Sequence, residues 1–155
     1  MSRLLPAFFA GSCLLSAGPT PMTAQDRSYD ENALRADQSR GTIRIVRGVS
    51  ETVVGKTGVF RGFDLARIVS ESPNAVTEAK VFQRDYVPGM WIASLGIATL
   101  GAAIGASRIH DINQAIPTGL TIASVALITY GGSKLESAYR ALGKSIWWYN
   151  RDLTK

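Results

Sequence analysis

"MWIASLGIATLGAAIGA", residues 90–106, carries no charged side chain. A helix of that length reaches about 26 Å, just under the ~30 Å hydrocarbon layer of a bilayer. A second apolar run, "IPTGLTIASVALITY" at 116–130, follows the short polar "SRIHDINQ". Together they predict a mainly α membrane protein built on an antiparallel transmembrane hairpin over 87–132, with helices at about 89–107 and 115–131. Runs this short also fit the buried helices of a soluble protein, which is the competing reading.

The rest of the chain has the layout such a hairpin requires. Apolar residues gather in these two runs and in an N-terminal one, Leu4 to Ala17, whereas Gln25 to Tyr86 is dense in charge. The net charge of +5 does not come from that region, where ten Lys/Arg face nine Asp/Glu. It comes from the end of the chain, where Lys134, Arg140, Lys144, Arg151 and Lys155 outweigh Glu136 and Asp152. Cations beside an apolar run point to phospholipid headgroups, because a nucleic-acid binder would carry its basic patch on the folded polar part.

"MSRLLPAFFAGSCLLSAGPTPMTAQD" opens with Arg3 and an apolar stretch of signal length, then helix breakers Gly18, Pro19 and Pro21 and the small Ala24. It reads as a signal peptide over 1–24, cleaved near Ala24. An uncleaved anchor and a lipoprotein acylated at Cys13 are the other readings. Residues 25–40, "QDRSYDENALRADQSR", contain few large apolar groups and are expected to be a disordered tether. A small β/α element at 41–86 follows, with two or three short antiparallel strands from "GTIRIVRG", "SETVVGK" and "GVFRG". Asp64 is placed to cap one short helix, and Ser72-Pro73 to start a second that Pro88-Gly89 breaks or kinks.

Within the hairpin, Ser94, Ala98, Ala102 and Ala106 recur every four residues beside Gly101 and Gly105, and Gly119 and Ala123 repeat the spacing on the second run. Such small faces let helix backbones approach closely. Ser94, Ala98, Gly101, Ala102, Gly105, Gly119 and Ala123 are therefore the expected helix-packing positions, within one hairpin or between protomers. Gly131-Gly132 should end the second helix, and "SKLE" at 133–136 is a capping box that starts another. In the resulting amphipathic helix, 133–155, Leu135, Tyr139, Leu142, Ile146 and Tyr149 form one stripe with Arg140 and Lys144 opposite. The expectation is a helix lying on the bilayer, with Trp91, Arg140, Lys144, Trp147, Trp148 and Tyr149 at the membrane interface. Packing of the two tryptophans against the β element or a partner is the alternative.

Signs of chemistry are weak. "VGKTG" at 54–58 ends like a P-loop, but the first glycine of that motif would fall at Ser50, and Val53 and Val54 prefer strand to loop. A glycine-bounded turn with an exposed Lys56 is expected, and no nucleotide or nucleic-acid partner. His110 beside Asp111 lacks a nucleophile or metal partner, and no cluster has metal-ligand spacing, so neither enzymatic activity nor a cofactor is expected.

"GFDLARIV", "SPNAV", a glycine-rich apolar hairpin and a closing "WWYN" together resemble a group of uncharacterised small bacterial envelope proteins. These have a signal peptide, a two-helix membrane hairpin and a C-terminal Tyr-Asn signature. The likeness runs from about Phe60 to Leu153 and implies no activity. The cleaved signal, separately, places the protein in the cytoplasmic membrane with the N-terminal part facing the periplasm or exterior, although two spans return the basic tail to that same side, against the positive-inside tendency. The expected function is a structural or accessory subunit of an envelope assembly, with the lipid bilayer and a homo-oligomer or larger membrane complex as partners. A small oligomeric pore is the alternative.

Overall fold

The computed structural model describes residues 24–39, 42–109 and 113–155. It is mainly helical, with a three-stranded sheet preceding two long apolar helices. The signal segment up to 23, with Cys13, and the pair His110 and Asp111 lie outside the described residues.

A short helix α1 (Ala24–Asn32) leads into β1 (Leu34–Ser39), β2 (Thr42–Arg47) and β3 (Thr52–Lys56). The strands are antiparallel neighbours in chain order, with Leu34 opposite Arg47 and a bulge between Ile45 and Val46 in the second pairing. Up to Ser39, the region expected to be a tether is thus built into α1 and β1. β1 buries only Leu34 of its own residues, so its hydrophobic pattern is nearly silent, and it is held by partners rather than by composition. The turn from β2 to β3 uses Gly48 at φ 67°, where a Cβ would also sit 2.4 Å from the Glu31 carbonyl oxygen. Only glycine suits both demands.

"GVFRG" is not a strand. It forms a loop leading to α2 (Leu65–Ile68), where the Asp64 carboxylate accepts from the Arg67 N–H as its cap. Ser72 caps α3 (Pro73–Ser107) by accepting from the Ala75 N–H, with Pro73 at the first helical position. Both starts follow the sequence expectation, because caps are local chemistry.

The helix end expected at Gly131-Gly132 does not occur, and at Pro88-Gly89, where a break or a kink is expected, there is no break. α3 passes through Pro88-Gly89 without interruption, and α4 (Ala115–Asp152) passes through Gly131-Gly132. Ser133 does not cap, since its hydroxyl donates to the Tyr130 carbonyl at 2.8 Å while Glu136 pairs with Arg140. The two helices therefore extend about 52 and 57 Å and are shared by two regions.

At one end, the first part of α3 and the last part of α4 enclose a core with the sheet and α2. Leu34, Ile43, Ile45, Leu65, Val69, Phe82, Tyr86, Leu142 and Tyr149 are buried there. A run of rings crosses it, Phe63 to Phe82 to Tyr86 to Tyr139, with centroid spacings of 5.7, 5.2 and 6.3 Å. At the other end, the apolar segments of α3 and α4 form the hairpin. In the 18-residue apolar window of each helix only 17% of residues are buried.

Candidate functional site

The hairpin closes through small residues, but not the expected ones. A Cβ on Gly131 would lie 2.5 Å from the Ala93 nitrogen, and one on Gly96 would lie 2.8 Å from the Ile128 nitrogen. A Cβ on Gly89 would press on Leu135 and Lys134 at 3.1 Å. With Ala103, Pro117 and Ser124, which are also buried, these positions form the line along which the backbones meet. Ala98, Gly101, Ala102, Gly105, Gly119 and Ala123 are exposed, and a Cβ on Gly101, Gly105 or Gly119 would meet nothing within 4 Å. Ser94 is half-buried. The expected ridge is real but points outward, because α3 carries two registers of small residues and the other one faces α4.

Around this line the helices present bare aliphatic surface. Leu95, Ile97, Ile104, Ile122 and Val125 are all more than half exposed. Four of the hairpin hydroxyls are turned back into their own helices. Thr99 donates to the Leu95 carbonyl, Thr118 to Gln114, Thr121 to Pro117 and Ser124 to Thr121. Such local bonds hide a hydroxyl from an apolar medium.

Where core and hairpin meet sits one buried charge. Asp85 is 2% exposed, yet its carboxylate accepts from Arg84 at 3.0 and 3.1 Å, from Lys134 Nζ at 3.1 Å and from the Ser137 hydroxyl at 3.0 Å. The Arg84 hydrogen bonds foremost, with those of Lys134 and Ser137, hold its pKa well below the usual carboxylate range against the opposing effect of burial. The group is a structural anion that ties α3 to α4. No sequence signal marked it, since its partners lie 49 and 52 residues away.

The closing "WWYN" is fixed to the core through Tyr149 and Asn150. Asn150 acts as a substitute strand, its Oδ1 accepting from the Leu34 N–H at 2.8 Å and its Nδ2 donating to the Leu34 carbonyl at 2.9 Å. Replacing Asn150 with Leu should strand both Leu34 groups and destabilise the fold by about 2 kcal/mol. Amide exchange at Leu34 should accelerate with it. Unchanged protection would mean that β1 is held by β2 alone.

Tyr149, assigned to the membrane interface from sequence, is 3% exposed, and its stripe neighbour Leu142 is also buried. The stripe is a packing face, and what covers it is α3 and the sheet: Ser145, on the same side, donates to the Ala75 carbonyl at 2.9 Å. Arg140 is exposed and pairs with Glu136, and Lys144 lies 4.0 Å from Glu78. Trp147 is exposed and Trp148 half-buried, their rings edge-on at 4.8 Å with the Arg151 guanidinium 3.7 Å over Trp148 and 5.1 Å over Trp147. This is a cation–π pairing, but it lies some 16 residues, about 24 Å of unbroken helix, beyond the hairpin base. Trp91, by contrast, is at that base and exposed, stacked on Phe60 at 4.4 Å.

No family model, curated protein or solved structure matches the chain.

Among the described residues no group of three or more His, Cys, Asp or Glu converges on a common point. The P-loop look-alike resolves into a strand end. Thr57 exchanges two bonds with Ile43, its N–H donating at 2.9 Å and its hydroxyl accepting at 3.0 Å, and no helix begins there. Its hydroxyl is therefore committed to holding β2.

Proposed function

We propose that the protein is a non-enzymatic integral membrane protein of the bacterial envelope, a structural or accessory subunit of an assembly. The observation that carries this is the exposure of the hairpin. Two helices long and apolar enough to span a bilayer keep five-sixths of their apolar windows unburied. In water a surface of that kind is far larger than a soluble monomer keeps, whereas lipid covers it without penalty. A buried soluble helix pair would show the opposite.

The outward ridge of Ala98, Gly101, Ala102 and Gly105 supports the subunit reading, since it offers a neighbouring helix close approach while the hairpin's own seam is already filled. A pore is the weaker alternative, because the hydroxyls of Thr99, Thr118, Thr121 and Ser124 are spent on carbonyls of their own helices. The proposed location is the cytoplasmic membrane, with the sheet region on the outer side, as the N-terminal apolar segment directs. The group of small envelope proteins with a terminal Tyr-Asn signature remains the proposed kinship.

Carbonate extraction at high pH tests the core of the proposal. The protein should stay in the membrane pellet, and release into the supernatant would overturn the integral reading. Reconstituted liposomes should show no conductance above the lipid background. Steady channel currents would transfer the case to the pore.

A further inference from the structure

An exposed apolar pair lies outside the hairpin, in the loop after β3. Val59 and Phe60 are 49% and 42% exposed at the tip of a turn that has no freedom to fold them away. The Gly58 N–H donates to the Arg61 carbonyl at 2.8 Å and closes the turn. The Tyr86 hydroxyl donates to the Gly58 carbonyl at 3.3 Å and fastens it to α3. Gly62 packs against Val87, where a Cβ would be 3.3 Å from the Val87 side chain. An exposed apolar tip held in place by the fold calls for an apolar environment outside it.

Its level identifies that environment. Phe60 stacks on Trp91, the second residue of the first apolar run, and Gly131 backs onto Ala93, so the neighbouring exposed Tyr130 lies on the opposite helix within one turn of the level of Trp91. Three aromatic rings at the point where a polar region passes into a bare aliphatic one match the composition of a membrane–water boundary. Charge agrees. Lys56 and Arg61 are exposed on the rim of a shallow hollow beside the tip, lined also by Thr57, Gly58, Gly62 and Phe63. Among the described residues neither has a carboxylate within ion-pair distance.

We propose that the Gly58–Gly62 turn rests on an anionic phospholipid surface, with Val59 and Phe60 among the headgroups and Lys56 and Arg61 against the phosphates. This rests on the integral-membrane reading and sharpens it. The sheet region is then seated on the bilayer at the height of Trp91, instead of standing clear of it.

Depth-dependent quenching tests this in the full chain. A variant with Trp91→Phe, Trp147→Phe, Trp148→Phe and Phe60→Trp reports the turn alone, and one with only Trp147→Phe and Trp148→Phe reports Trp91. Both go into phosphatidylcholine–phosphatidylglycerol vesicles with acyl chains brominated just below the headgroups. Both should lose most of their emission. Quenching at Trp91 without quenching of the Phe60→Trp reporter would overturn the seated turn while leaving the hairpin in the bilayer. Quenching of neither would overturn both. Equal quenching of the Phe60→Trp reporter in purely zwitterionic vesicles would remove the role of Lys56 and Arg61. Should the multiple replacement not fold, Phe60→Asp in the otherwise native chain serves instead. Its tryptophan emission should shift to the red in vesicles, and an unmoved spectrum would overturn the proposal.

Discussion

Replacing Gly131 with leucine is expected to prevent the hairpin from closing. A Cβ at that position would stand 2.5 Å from the Ala93 nitrogen, 2.9 Å from its Cα and 3.0 Å from its Cβ. Two of these atoms are backbone, so no rotamer change relieves the clash, and α4 would have to move away along the whole seam from Gly89 to Ala103. Overpacking against movable side chains costs about 1–3 kcal/mol, and against backbone the loss should exceed about 3 kcal/mol. Gly101→Leu and Gly105→Leu provide the contrast, since nothing lies within 4 Å of either position. They should not destabilise the monomer, and the better helix propensity of leucine should add up to about 1 kcal/mol. Thermal melts followed by circular dichroism in detergent compare the three. A Gly131→Leu protein melting with the native one would mean that the helices do not meet there.

Asp85→Ala should be the next most damaging change. It removes a carboxylate that gathers two Arg84 bonds, Lys134 and Ser137, and leaves the half-buried Lys134 ammonium without its partner. Hydrogen bonds to a charged group of this kind contribute on the order of 2–3 kcal/mol. The pH dependence carries a sign. The pKa of Asp85 is lowered in the folded state, so its contribution is fully present above the unfolded value near 4. It is lost as pH falls from there through the lower folded value. Native protein should weaken progressively below about pH 4, and Asp85→Asn should show a flatter profile because it has no proton to take up. Chemical melts at pH 7 and pH 3 decide between this and a bystander role. Parallel pH profiles for the two proteins would show that the carboxylate is not the linked group.

Residues whose meaning is local were legible before any coordinates. Ser72-Pro73 and Asp64 start helices where their chemistry says they should, and the apolar runs mark the hairpin within a few residues. Residues whose meaning is set by a distant partner misled. Gly131-Gly132 looks like a helix end, yet Gly131 is there so that Ala93 can come close. Pro88 looks like a break, yet packing on both sides carries α3 through it, tertiary contacts overriding propensity. The small-residue spacing marked the outward face of α3 and not the one that meets α4, because spacing alone cannot say which of two smooth faces turns inward. β1 had no pattern to read, since what secures it is β2 and an asparagine near the other end of the chain. Asp85 and Phe60 could have been noticed only as oddities, one a charge close to an apolar run and the other an aromatic between two glycines.

The bond between Leu34 and Asn150 also imposes a timetable. The two residues are 116 positions apart, so at 5–20 residues per second synthesis of β1 precedes synthesis of its clasp by roughly 6–23 s. The core has the same schedule, because Phe82 and Tyr86 await Leu142 and Tyr149, and the hairpin is translated in between. The sheet region is therefore not a unit that forms first and then acquires the hairpin. During that interval its apolar face and the edge of β1 are open to wrong partners. Closing of the hairpin is what brings the last helix back beside α3, and the delay ends with it.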